Sequence, residues 1–160
     1  LMEPEQVADH CLDHAEIRTV LDVGSGSGLF TEVFAARGLA VGALDVSPRM
    51  VRATRDHVPE ACLAIALAEV LPFADDAFDL VLISHVLHET DDRVRTLREA
   101  HRVARQRVAV LEWPRWLERD GPPRHHRLSV EQVCQMAADA GFRDRRVITL
   151  EAMELYLFNV

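Results

Sequence analysis

The segment Val20-Leu21-Asp22-Val23-Gly24-Ser25-Gly26-Ser27-Gly28-Leu29-Phe30 reads as a buried strand that breaks into three alternating glycines and then opens a helix. The apolar residues around Asp22 suit a parallel strand covered on both faces. Behind the loop, Leu29, Phe30, Val33 and Phe34 recur at helical spacing. Side chains at 24, 26 and 28 would collide with anything lying on the turn, and glycine also accepts positive φ. A chain built on this unit folds as α/β and can rest a nucleotide-like ligand directly on backbone.

The spacing then separates cofactor classes. A dinucleotide fingerprint, G-x-G-x-x-G, needs its third glycine at position 29, which is Leu29. The pattern present is Asp-x-Gly-x-Gly-x-Gly, and the charge of Asp22 is unfavourable beside a pyrophosphate. These residues resemble the first motif of class I S-adenosylmethionine-dependent methyltransferases, where such an acid can serve the ammonium of the methionine tail. Val41 to Leu44 reads as a second strand ending in Asp45, 23 positions after Asp22. An acid so placed can accept hydrogen bonds from both ribose hydroxyls. Ser47 then caps a helix that has Pro48 at its first position, and Met50 on the first turn is placed to pack on an adenine face.

The likeness continues downstream. Leu71-Pro72-Phe73 through Phe78-Asp79, with the strand Leu80-Val81-Leu82-Ile83, resembles the branch that includes the ubiquinone and menaquinone biosynthesis methyltransferases. Ser84-His85-Val86-Leu87-His88-Glu89 occupies the mouth of the sheet, and Arg98 to Val103, Val108 to Glu112 and Arg127 to Phe142 extend the similarity over nearly the whole chain from about residue 19. The resemblance implies one domain over residues 1–160, a doubly wound, Rossmann-like α/β fold. It also implies a seven-stranded sheet in the order 3-2-1-4-5-7-6 with one antiparallel strand. It implies S-adenosylmethionine as cofactor, held by Asp22, Gly24, Ser25, Gly26, Gly28, Asp45, Val46, Met50, Ala68, Glu69 and Ser84. Gly28 has an equal claim as a close-packing glycine.

Two positions depart from the family pattern. Four residues before Leu71, where related sequences usually carry an aspartate for the adenine amino group, stands Leu67. Losing one neutral hydrogen bond costs on the order of 1 kcal/mol, which weakens binding several-fold without abolishing it. The backbone of Ala68 and the side chain of Glu69 remain available to adenine. Ala104-Arg105-Gln106-Arg107 replaces a proline-glycine turn before the fifth strand, at the end of the sheet away from the ligand, so only a structural effect is expected.

Strand patterns fall at about 19–23, 41–44, 62–65, 79–84 and 107–112, and Phe142–Leu150 and Met153–Asn159 alternate as a terminal hairpin. A first helix is expected over about 5–15, with Val7, Ala8, Cys11, Leu12 and Ala15 on one face. Another begins at Asp91 or Asp92 and turns Val94, Leu97, Ala100 and Ala104 inward. Ser129 with Gln132 forms a capping-box pattern for a last helix that Gly141 ends. Between them, Trp113–Leu128 is the extended loop.

Histidines divide by position. His10 and His14, four apart, suit metal spacing, but no third ligand is near in sequence and a solvated helix face accounts for them; His101, His125 and His126 read as surface or loop residues. His85 and His88 follow a strand whose carboxyl end is where open α/β sheets bind ligands. Either can take a proton from an acceptor, or else line the methionine pocket (His85) and cap the next helix (His88). Glu112, ending the fifth strand, has a similar claim and a similar structural alternative.

Composition narrows the rest. The 160 residues are 49% hydrophobic, enough for a core in one domain. A net charge of -8 argues against a nucleic-acid partner. All 18 basic residues are arginine, which leaves no lysine for Schiff-base chemistry. The longest apolar run, Ala61–Ala68, is far short of a membrane span, and the protein is expected to be cytoplasmic. Cys11, Cys62 and Cys134 suggest neither a disulfide framework nor a zinc site, so no metal is expected. The chain opens Leu1-Met2, which reads as a cloning scar or the trimmed start of a slightly longer protein.

The expected activity is methyl transfer from S-adenosylmethionine to a small-molecule nucleophile, by orientation more than by proton removal. The acceptor site is expected between the 113–128 loop, the N-terminal helix and the 84–89 segment. The alternative is a non-catalytic S-adenosylmethionine-binding or partner subunit that keeps the fold. Leu67 favours it, whereas the retained loop and both acids disfavour it. A nicotinamide oxidoreductase is disfavoured by Leu29.

Overall fold

A computed structural model describes residues 3–118 and 120–160; Leu1-Met2 and Arg119 of the long loop lie outside the described residues. The elements alternate as α1 (Pro4–Leu12), β1 (Thr19–Val23), α2 (Leu29–Ala36), β2 (Ala40–Asp45), α3 (Pro48–His57), β3 (Cys62–Ile65), β4 (Phe78–Ser84), α4 (Arg93–Val103), β5 (Ala104–Glu112), α5 (Val130–Ala140), β6 (Asp144–Thr149) and β7 (Glu154–Asn159). They build one seven-stranded sheet in the order β3-β2-β1-β4-β5-β7-β6. β7 runs antiparallel to both β5 and β6, and the remaining pairs are parallel.

The central strands are largely apolar because both faces are covered. Val20, Leu80, Leu82, Ala109 and Leu111 pack with Val7 and Cys11 of α1 and Phe30 and Phe34 of α2. Their neighbours Leu21, Val23, Val81, Ile83, Val108 and Val110 face the other way, toward Leu97 and Ala100 of α4 and Val133 and Ala137 of α5. Period-two alternation thus separates two apolar layers rather than core from solvent. At the amino ends of the strands, Asp79 accepts from the backbone N–H groups of Arg18 and Thr19 and pairs with Arg105 at 2.6 Å.

Several expectations need correction at element ends. α1 stops at Leu12 rather than near 15: Asp13 is extended, His14 has φ of 54°, and the Arg107 guanidinium takes the carbonyls of Cys11 and Asp13. His14 is therefore off the helix that was to align it with His10. β5 begins at Ala104, three residues early, because α4 passes into it without a turn and Ala104 pairs with Phe78. Ala104 is buried as a strand residue, not a helical one. Asp92 is the N-cap of α4, accepting from the Arg95 N–H at 2.9 Å, so His88 does not cap that helix. Ser47 holds the N-cap position of α3, but its side chain makes no capping bond. The Ser129–Gln132 capping box and the Gly141 end of α5 form as expected. Among its described residues, the Trp113–Leu128 connection holds one short 3-10 turn, Arg124–His126.

Candidate functional site

β1 delivers its glycines to the carboxyl end of the sheet beside the tip of β2. The N–H groups of Gly24 and Ser25 both donate to the Leu44 carbonyl, at 2.8 and 2.9 Å. Asp45 fastens the next turn: one carboxylate oxygen accepts from the Gly26 N–H at 3.0 Å and the other from the Ser47 N–H at 2.8 Å. Thr54 of α3, buried, donates to the Gly26 carbonyl at 3.0 Å and lies 3.3 Å from the Ser25 hydroxyl. All three glycines have positive φ.

What a side chain would meet differs at each of them. A Cβ on Gly28 would sit 3.1–3.3 Å from Thr54, so this glycine allows α2 and α3 to approach. A Cβ on Gly26 would meet nothing within 4 Å. At Gly24 it would fall 2.0 Å from a methyl of Val86, which covers the start of the loop.

Asp22 lies under the loop, 1% exposed. One of its carboxylate oxygens accepts from the Thr31 hydroxyl at 2.7 Å; the other is buried without a partner. Burial pushes its carboxyl up to about 6, opposed by the hydrogen bonds of Thr31 and assisted by the charge of Asp45.

In front of the loop is a cleft of about 230 Å³. Gly24, Asp45 and Val46 form one side, Leu67, Ala68 and Glu69 a second, and Val86 with Glu89, Thr90 and Asp91 a third. Leu67 is 55% exposed at this rim, outside the apolar core. Glu69 accepts from the Asp91 N–H at 3.1 Å, tying two of the walls together. Met50 is half-buried on α3 and Ser84 is buried at the end of β4, and neither is on the cleft wall. Asp22, Ser25, Gly26 and Gly28 lie within or beneath the loop rather than on that wall.

The candidate histidines take different roles. His85 has φ of 58°, its N–H donates to the Leu111 carbonyl, and its ring lies against Trp113 at 5.2 Å. Its Nδ1 is buried without a partner, and burial holds its pKa below the ordinary value. The His88 Nδ1 lies 2.7 Å from one oxygen of Glu112, and its backbone N–H donates to the other at 3.2 Å. Glu112 is 1% exposed, and its hydrogen bond holds the His88 pKa above the ordinary value. His88 borders a second cavity of about 550 Å³, between the 88–93 segment and the Pro122–His126 part of the long loop. α1 contributes no residue to either cavity wall.

Thr31, Thr54, Val86 and Arg93 went unread in the sequence. Only Thr31 carries a signal there, lying on the inner face of α2 among Phe30, Val33 and Phe34. No cluster of His, Cys, Asp or Glu suited to a metal ion occurs among the described residues, and no helix of theirs is long and apolar enough to cross a membrane.

Residues 21–122 match the family model described as a methyltransferase domain. The chain belongs to that family. Family membership implies S-adenosylmethionine as the cofactor. An uncharacterised methyltransferase of Mycobacterium tuberculosis is 32% identical over 143 residues, covering 81% of this chain and 58% of the relative. A demethylmenaquinone methyltransferase of Renibacterium salmoninarum is 38% identical over 86 residues, or 54% of this chain and 36% of that one. The chain thus spans less than two thirds of the length of these curated relatives. Among solved structures, an S-adenosylmethionine-dependent methyltransferase from Aquifex aeolicus superposes with a TM-score of 0.86 at 25% identity, covering 100% of this chain and 90% of that one.

Proposed function

We propose that this methyltransferase-family chain moves a methyl group from S-adenosylmethionine to a small-molecule nucleophile. The observation that carries the reading is the buried, unpartnered oxygen of Asp22 under the glycine loop. A desolvated carboxylate oxygen without a donor is costly, and an ammonium group is the partner that offsets the cost. The remaining residues fit the same cofactor. Each Asp45 oxygen accepts one N–H and keeps further acceptor capacity for a ribose hydroxyl. Gly26 is open, and Val46, Leu67, Ala68 and Glu69 offer an apolar rim with one carboxylate to an adenine. Gly24, Ser25 and Gly28 shape the loop, Met50 lies half-buried on the first turn of α3, and Ser84 ends the strand beside the loop.

When bound, S-adenosylmethionine supplies an electrophilic methyl group that leaves with the carbon–sulfur electron pair remaining on sulfur. The chain's own task is to exclude water and hold the acceptor in line. Glu112, paired with Nδ1 of His88, fixes the ring so that Nε2 carries the lone pair. A hydroxyl acceptor passes its proton to Nε2 as its oxygen attacks, and the resulting imidazolium is stabilised by Glu112. His85, its ring tilted against that of Trp113, acts as a positioning residue that shapes the 84–90 segment.

Calorimetry and thermal melts with S-adenosylmethionine, S-adenosylhomocysteine and NAD test the cofactor assignment. A ligand at a hundred times its dissociation constant stabilises the fold by about 2.7 kcal/mol. Both sulfur ligands should raise the melting temperature, and Asp45→Ala should abolish most of that shift. A shift with NAD alone would refute the assignment. The exposed Leu67, at the place where the resemblance implies an aspartate, favours a second reading as a binding subunit; that reading gains if the sulfur ligands bind and no acceptor is ever methylated.

A further inference from the structure

The cofactor cleft and the second cavity share Glu89, Thr90 and Asp91 as a common wall. Beyond that wall the second cavity is bordered by His88, Arg93, Pro122 and His126. Arg93 is half-buried, and its guanidinium has a single hydrogen bond, from Nη2 to the His88 carbonyl at 3.2 Å. Its Nε is shut from solvent without a partner. Of five guanidinium N–H donors, one is used, and Arg93 makes no ion pair among the described residues.

The charges around this cavity are not equivalent. Glu89 and Asp91 are exposed, so water already solvates them, and Glu89 lies 3.8 Å from Nε2 of His88. A half-buried arginine without a counter-ion bears an uncompensated desolvation cost, which an incoming anion removes. His126, on the 3-10 turn opposite, adds a second donor. His88, held by Glu112, faces the same space and suits a group that must surrender a proton.

We propose, resting on the methyltransferase reading above, that this cavity is the acceptor site and that its acceptor is a small hydroxy acid. Its carboxylate is received by Arg93 and His126, and its hydroxyl is methylated. The hydroxyl proton passes to Nε2 of His88, the oxygen lone pair forms the new carbon–oxygen bond, and the carbon–sulfur pair stays with the departing thioether.

The test is calorimetric titration of 2-, 3- and 4-hydroxybenzoate, the corresponding methyl hydroxybenzoates and the corresponding hydroxybenzylamines into protein saturated with S-adenosylhomocysteine. At least one acid should bind about tenfold or more tightly than its neutral ester and its amine, the scale of one charge-assisted hydrogen bond. Arg93→Gln should erase that preference and Arg93→Lys should keep part of it, while both bind S-adenosylhomocysteine as the wild type does. Equal binding of acid and ester, tighter binding of an amine, no binding in any series, or a preference that survives Arg93→Gln would each overturn the proposal. Failure of S-adenosylhomocysteine itself to bind would instead defeat the methyltransferase reading, and this inference with it.

Discussion

Asp22 carries the sharpest consequence at the scale of single residues. Its carboxyl is pushed up to about 6 by burial, above its unfolded value of 3.8, so folding favours the protonated form. That contribution to stability is complete below the unfolded pKa and is lost as pH rises through about 6. A cationic ligand group at the free oxygen requires the ionised form. Affinity for S-adenosylhomocysteine should therefore climb between pH 5 and pH 7 and then level, and Asp22→Asn should both weaken binding and flatten that profile; calorimetry across the range checks it. His88 shifts upward through its bond to Glu112, so the stability of that pair is present below the ordinary histidine pKa and fades as pH rises through the folded value. The same shift means that activity needing a neutral imidazole rises with pH. His88→Ala should lower turnover by roughly a hundredfold to ten-thousandfold, with the loss shrinking at high pH, whereas His85→Ala should give a smaller, pH-independent loss. Steady-state rates over pH separate the two. Asp22 and Asp45 were legible in the sequence because backbone-hugging loops demand glycine and leave a fixed spacing to the next strand end. The His88–Glu112 pair was not, since the two residues lie 24 apart and only the β4–β5 register brings them together. Arg93 was invisible as well: among 18 arginines, nothing local marks one that lacks a counter-ion.

At the scale of elements, one buried side chain gathers much of the long connection after β5, which Trp116 also ties to Glu154 and Arg124 to the Arg115 carbonyl. Arg127 is 6% exposed and donates to the carbonyls of Pro114, Leu117, Asp120 and Pro122, so the loop is wrapped around its guanidinium. A carbonyl left buried without a donor costs about 1–3 kcal/mol, and a loop this close to the surface recovers part of that from water. Arg127→Met should therefore destabilise the fold by about 2–3 kcal/mol in urea denaturation, and should open residues 113–126 to limited proteolysis while α5, with its own capping box, stays protected. The sequence marked this stretch as a loop through Pro114, Gly121, Pro122 and Pro123, yet it could not show that the loop is organised. Turn residues report where regular structure stops, and the four carbonyls gathered by Arg127 carry no residue code at all. The α4–β5 junction erred for a related reason: helical periodicity continues through Ala104, but pairing with Phe78 claims that residue for the sheet. Tertiary hydrogen bonds outweighed local pattern there.

For the whole molecule, the alternation of apolar strands with amphipathic helices made a doubly wound sheet legible, whereas its strand order was implied by the resemblance to class I methyltransferases and is the order found. The edges of that sheet are a property the strand order alone settles. β3 is one edge and only four residues long. β6 is the other, and Asp144, Arg145 and Arg146 stand exposed along its first half. An edge strand offers unpaired N–H and C=O groups to any passing chain, and charge is what keeps another strand from docking there. Replacing Arg145 and Arg146 with valine would join them to Val147, Ile148 and Thr149 as an unbroken β-prone run. Light scattering on gentle warming should then rise well below the melting transition of the native sequence, with S-adenosylhomocysteine affinity unchanged, since the cleft lies several strands away. The hydrophilic side chains of β6 would in that case act as gatekeepers of colloidal behaviour, keeping the terminal hairpin from seeding fibrous assembly while the far side of the sheet binds its ligands.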